Sequence, residues 1–192
     1  ALLGVMSRTT VHQPNFLWEE KSAADLDYRK SPVAMRAVVQ RVLRASVDVD
    51  GALVSSTGPG LMVLVGLHVE DTFEDAQWLA GKLLKARVFP DENGKDWTQS
   101  VTAECEPARQ ILFVSQFTLH GSFASGNKPD LHNAMPPVTA KQLYETFLQH
   151  VKTMMPRGND CVRDGVFGAA MEVSLVNHGP VTFVLDSRDR KA

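Results

Sequence analysis

The sequence has little of what marks several large classes of protein. Its 192 residues carry 20 Lys and Arg against 22 Asp and Glu, a formal charge of −2. No global positive field therefore exists to coat a polyanion, and any nucleic-acid contact must be local. The two cysteines, Cys105 and Cys161, are far apart and lack Cys-x-x-Cys or Cys/His ligand spacing, which argues against a disulfide framework or a structural zinc. They read as free thiols of an intracellular protein. No apolar run approaches the roughly 20 residues that span a bilayer, since Leu61 to Leu67 is short and strand-like. The expectation is a soluble protein with no membrane partner. Six histidines show no His-x-x-x-His pair and no carboxylate at ligand spacing, so no metal is expected. Gly58-Pro59-Gly60 lacks the lysine and helix start of a phosphate loop and reads as a turn. A glycine-flanked nucleophile elbow is missing too.

What is there describes one core with decoration. An apolar content of 44% over this length suffices for a single domain. Residues 1–34 mix Arg8, Lys21, Arg29 and Lys30 with Glu19, Glu20, Asp25 and Asp27 and show no sustained period. The acids argue against an organellar presequence, and the stretch is expected to be a flexible extension. The compact domain is expected over 35–192. Ala37 to Val49 predicts a strand, Asp50-Gly51 a hairpin turn, Leu53-Val54 the return and Leu61 to Val65 a buried strand. Asp71 or Thr72 can cap a helix with Ala76, Leu79, Ala80, Leu83 and Leu84 on one stripe. A second helix is predicted from near Thr139, with Leu143, Tyr144, Phe147, Leu148 and Val151 at helical spacing, stopping before Pro156. Residues 95–109 read as irregular. Strands and helices without repeats indicate an α/β or α+β domain in which the strands can close around a barrel.

Two polar islands carry the chemistry. Ser115-Gln116-Phe117-Thr118 ends the apolar run Ile111 to Val114, and Asn177-His178-Gly179-Pro180-Val181-Thr182 lies between the alternating runs Met171 to Val176 and Val181 to Leu185. Gly-Pro in a short link fits either a type VI turn with a cis peptide or an ordinary hairpin turn. In the cis form the carbonyls of Gly179 and Pro180 can point the same way, as paired acceptors for an ammonium group. In the first island Ser115 and Thr118, with Thr182 from the second, are candidate nucleophiles, His120 and His178 candidate bases and Asp186 an orienting acid. Without a nucleophile elbow a triad is weakly supported. Backbone N–H groups near Phe117 and Thr118 offer an alternative as an oxyanion site, and simple strand-end hydrogen bonding is the plainer reading. Arg36, Arg41 and Arg44, with Lys82, Lys85 and Arg87, can form a local phosphate-binding face or a merely solvated one.

Met35-Arg36-Ala37-Val38-Val39-Gln40-Arg41-Val42, Gly58-Pro59-Gly60-Leu61, Ser115-Gln116-Phe117-Thr118-Leu119, Lys128-Pro129, Phe167-Gly168-Ala169-Ala170-Met171 and the second island occur together in this order. In this the chain, over residues 35 to about 187, resembles the D-aminoacyl-tRNA deacylases, the family first named for D-tyrosyl-tRNA(Tyr) deacylase. The resemblance implies an α/β homodimer with a barrel-like sheet under two main helices. It implies hydrolysis of the ester between a D-amino acid, and also glycine, and the terminal adenosine of tRNA, with no metal or organic cofactor. By the same resemblance Ser115, Gln116, Phe117 and Thr118 form the catalytic segment, and Phe117 and Met171 line the adenosine pocket. Gly179 and Pro180 act as a chirality filter in trans, entering the neighbouring protomer's site, with Arg41 bracing the dipeptide inserted by the partner subunit. The expected partners are a second copy and the 3′ end of aminoacylated tRNA, in the cytoplasm, with no DNA-specific readout. Two other readings stand beside this one: a non-enzymatic nucleic-acid-binding factor, and a Ser or Thr hydrolase acting on small esters.

Overall fold

A computed structural model describes residues 34–189. The expected flexible extension lies outside the described residues except for Ala34, which is buried. The first strand, β1 (Arg36–Val49), is long enough to carry most of the sheet. Asp50 and Gly51, with φ of 50° and 75°, supply the two left-handed positions that a two-residue hairpin needs. They return the chain as β2 (Ala52–Thr57), antiparallel to the second half of β1. The first half of β1 pairs instead with β3 (Gly60–Gly66), from Arg36 opposite Gly66 to Val42 opposite Gly60. β4 (Gln110–Ser115) and β5 (Val162–Asp164) extend the sheet in parallel. β6 (Glu172–Asp186) runs the full length of β1 on its other edge. The order is β2-β1-β3-β4-β5 with β6 on β1, and β2 also packs against β4 and β5, which gives the barrel-like curl expected.

Two helices cover one face, as the apolar stripes predict. α1 (Phe73–Lys85) starts at Thr72, whose N–H and hydroxyl both donate to the Asp75 carboxylate at 2.9 and 3.0 Å. α2 (Pro137–Met154) opens on Pro137, two residues before the expected start, because proline at the first helical position lacks only an N–H that would be unpaired anyway. Leu79, Leu83, Phe113, Tyr144 and Phe147 meet beneath them, all 1% exposed or less. A smaller cluster on the opposite face holds Val42, Val47, Met62 and Leu112.

One sequence expectation is corrected. Asn177 to Thr182 is not a turn between two strands, whether type VI or hairpin, because the runs on either side belong to the single strand β6 and continue in the same direction along β1. Asn177 sits opposite Val42 and Thr182 opposite Gln40, so five steps along β6 match two along β1. The surplus backbone must leave the sheet, and His178-Gly179-Pro180 bulges out as an elbow. Its Gly179–Pro180 peptide is cis, as is Glu106–Pro107, which the sequence reading did not anticipate.

Candidate active site

β4 ends where its backbone runs out of partners. The last rung is the Gln116 N–H donating to the Val65 carbonyl at 2.7 Å, after which Phe117–His120 winds into a 3₁₀ turn. Within it Leu119 N–H reaches the Gln116 carbonyl at 3.3 Å, and Gly121 N–H closes on the Thr118 carbonyl at 2.9 Å. The N–H groups of Phe117 and Thr118 come first in the turn and have no acceptor inside it. Glycine at position 66 lets this turn lie against β3: a Cβ there would stand 2.9 Å from Leu119 Cβ and 3.0 Å from the Gln116 carbonyl oxygen.

Beside the turn opens a cavity of about 620 Å³, within the range of small-molecule sites. Ser115, Gln116 and Phe117 line it on one side, and Phe167 and Met171 on another. Phe117 is 58% exposed, so its ring face is available to a flat ligand. Met171 is tucked in, its Sδ accepting from Val166 N–H at 3.4 Å, in a space that a Cβ on Gly165 would enter at 2.7 Å. The far wall comes from Leu131, Met135 and the start of α2, which the sequence reading missed because that loop has no periodic pattern. Behind Phe167, the Tyr144 hydroxyl donates to Asp164 at 2.6 Å, and burial holds that carboxyl above its ordinary value.

The candidate nucleophiles and bases do not come together. The Thr118 hydroxyl accepts from the Gln116 side-chain amide at 2.6 Å, and an amide is no base. His120 is buried against Gly66 and lies edge-on to His68 at 5.5 Å, and burial holds its imidazole below the ordinary value. Thr182 is bonded to Asn177, while Asp186 is engaged by Arg36. His178 is exposed on the elbow. Among the described residues no group of three metal-ligating side chains is found, and no helix is long and apolar enough to cross a membrane.

The elbow is exposed at Gly179 and Pro180, and neither lines the cavity of its own chain. Two side chains pin it. Arg41, 7% exposed, donates through Nε to the His178 carbonyl at 3.1 Å and through Nη1 to the Val88 carbonyl at 2.7 Å. The segment that Arg41 holds in this way belongs to its own chain and not, as expected, to a partner's inserted dipeptide, because β1 and β6 of one chain are paired where Arg41 and His178 lie. Asn177 closes the base, accepting from Val181 N–H at 3.0 Å and donating to Thr182 Oγ1 at 3.1 Å. Gly179 has φ +126°, and a Cβ there would stand 2.9 Å from Arg41 Nη2. The sequence reading gave Asn177 no role, although an amide at the foot of a Gly-Pro segment is a signal for such a clamp. The basic face is smaller than expected: Arg36 and Arg41 are committed to internal partners, while Lys82 and Lys85 border a separate hollow on α1.

A curled α/β sheet that ends one strand in a donor-bearing turn beside an apolar cavity, and lifts a Gly-Pro elbow from another, defines a class of protein. The family model described as D-Tyr-tRNA(Tyr) deacylase matches residues 38–186. The chain belongs to this family. It is 46% identical over 157 residues to a D-aminoacyl-tRNA deacylase of Protochlamydia amoebophila (strain UWE25), covering 82% of this chain and 99% of that one. With the human D-aminoacyl-tRNA deacylase 1 it shares 47% identity over 80% of this chain and 70% of the relative. Among solved structures, one titled c-Myc DNA Unwinding Element Binding Protein is 45% identical with a TM-score of 0.72, covering 78% of this chain and 97% of its own. A probable eukaryotic D-amino acid tRNA deacylase, 22% identical with a TM-score of 0.68 over 79% of this chain and 98% of its own, shares the fold.

Proposed function

We propose that this protein is a hydrolase that removes D-amino acids, and glycine, from the 3′-terminal adenosine of tRNA, acting as a cytoplasmic homodimer. The observation that carries the reading is the apolar cavity bordered by the Ser115–Thr118 segment, with Phe117 and Met171 placed to hold a flat base. The adenosine of the tRNA end occupies that cavity. Its ester then lies at the first two N–H groups of the turn. Water, assisted by the ribose 2′-hydroxyl, adds to the ester carbon, and the Phe117 and Thr118 N–H groups stabilise the oxyanion. Collapse breaks the bond to the ribose oxygen, which takes up a proton, leaving free amino acid and tRNA. The hydrolysis written this way calls on no cofactor and no side-chain nucleophile.

The elbow supplies the choice of hand. Since Gly179 and Pro180 do not line their own chain's cavity, their carbonyls serve the partner protomer's site, where they grip the substrate ammonium. With amine and ester both fixed, an L side chain points into protein and a D side chain into solvent, so rejection is steric and the D side chain goes unread. The edge strand β6 supports the pairing of protomers, because beyond the elbow it leaves Phe183 and Val184 exposed at 42% and 62%.

The test is release of tyrosine from preformed D- and L-tyrosyl-tRNA at substoichiometric protein. Multiple turnovers on the D ester with the L ester spared are expected, and Thr118→Ala retains turnover because no covalent step uses its hydroxyl. A protein that bound the D ester and protected it from hydrolysis would be a nucleic-acid-binding factor, and the proposal would fall.

A further inference from the structure

The turn at the end of β4 is held from a third direction. Besides its rung on Val65 and its seat on Gly66, it receives a hydrogen bond from Arg36, whose Nη1 donates to the Leu119 carbonyl at 2.8 Å. The same guanidinium is fixed from the other side by Asp186, whose Oδ2 accepts from Nε at 3.2 Å and from Nη2 at 3.1 Å. Both ends of this arrangement are set by the sheet. Arg36 lies opposite Gly66 on β3 and opposite Asp186 on β6, so three strands converge on one side chain. The Leu119 carbonyl belongs to the Leu119–His120 peptide, two peptide planes beyond the one that carries the Thr118 N–H, so the bond ties down the end of the short turn whose start presents the Phe117 and Thr118 N–H groups. The pair is half-buried, with side-chain exposures of 30% and 19%, so it is shielded well enough for its geometry to matter.

We infer that Arg36, oriented by Asp186, is a positioning residue for the reaction, a latch that aims the Phe117 and Thr118 N–H groups at the oxyanion without touching substrate. This rests on the deacylase reading above. An oxyanion donor acts only in the transition state, so a misaimed turn lowers kcat and leaves KM nearly unchanged. A lysine can renew the single bond to the Leu119 carbonyl but not the fork to Asp186, so it restores part of the effect.

The experiment compares Arg36→Met, Arg36→Lys and Asp186→Asn with the wild-type protein in two independent measurements. In steady-state hydrolysis of D-tyrosyl-tRNA, Arg36→Met is expected to lower kcat by about 10-fold to 100-fold with KM within about 2-fold. Arg36→Lys and Asp186→Asn should fall between. In hydrogen–deuterium exchange of the ligand-free protein, residues 116–121 should exchange faster in Arg36→Met while β3 and α1 keep their protection, which a general loss of stability would not produce. Unchanged exchange in the turn overturns the latch whatever the activity, and so does a KM effect with kcat intact. A wild-type protein inert on the D ester would overturn the deacylase reading instead, with the exchange measurement still deciding whether the latch exists.

Discussion

Three buried side chains in and around the turn that follows β4, Asp71, His68 and His120, oppose one another as pH changes. Burial, helped by the nearby Asp75 carboxylate, raises the Asp71 carboxyl to about 7, while its Oδ2 accepts from His68 N–H at 2.6 Å. The folded state therefore keeps a proton that the unfolded chain releases near its ordinary value of 3.8. The stabilising contribution is complete below that value and is lost as pH rises toward 7. His68 and His120 are lowered from 6.5 mainly by burial, so the unfolded chain binds more protons below that pH and stability falls on acidification. Asp71→Asn keeps an oxygen for the His68 N–H and removes the carboxylate. Urea unfolding should find this variant more stable than wild type at pH 8, with the gap closing toward pH 4. From about pH 5 to 7 its stability should rise with pH, the histidine term no longer being offset. A variant less stable than wild type at pH 8 would show that Asp71 is needed as an anion.

Among the elements, β3 leaves no room for a side chain against β4 at Gly60. A Cβ on that residue would fall 1.9 Å from the Gln110 carbonyl oxygen and 2.7 Å from its nitrogen, and its φ of +157° already disfavours a side chain. Gly60→Ala is expected to cost about 3 kcal/mol or more, because backbone rather than a flexible side chain must give way. Urea unfolding checks it, and a change under about 1 kcal/mol would mean that the parallel pair relaxes freely. The elements themselves were legible in the sequence where a strict period met a punctuating residue. Asp50-Gly51 marked its hairpin, and Leu79 and Leu83 their helix, since turn chemistry and apolar spacing act locally. The elbow was half legible. Gly179-Pro180 announced an interruption, but whether the chain turns back or bulges depends on how β6 registers against β1, with Arg41 and His178 137 positions apart, and no local pattern encodes that. The segment Ser115–Thr118 could be singled out from its place at a strand end. The burial of His120 against Gly66 could not, since it depends on how the turn seats on β3.

For the whole molecule, the proposed division of the site between two copies makes a prediction that no single-chain enzyme shares. Gly179→Ala drives a methyl into Arg41 Nη2 and Val181 Cγ2, 2.9 and 2.8 Å away, and disables the elbow. Phe117→Ala strips the cavity of its exposed ring. Each variant alone should be inactive or nearly so. Refolded together they form mixed dimers in which one of the two sites combines an intact cavity with an intact elbow. About a quarter of wild-type activity should then return for random pairing. Sedimentation should give twice the 21.1 kDa chain mass for every sample. No recovery in the mixture would place the elbow's work within its own chain.

β6 carries Gly179 and Pro180 in the bulge at its middle, between Asn177 and Thr182, and Asp186 at its end, registered on Arg36 of β1. In the proposed dimer one ribbon thus serves two sites at once: its bulge reaches toward a neighbour, while its terminus steadies, through Arg36, the turn at home. Inserting or deleting a single amino acid between Val181 and Asp186 would slide the ribbon by a notch and reverse which side each later side chain faces. Both services would fail together, so this stretch should tolerate exchanges of residue type far better than any change in its length.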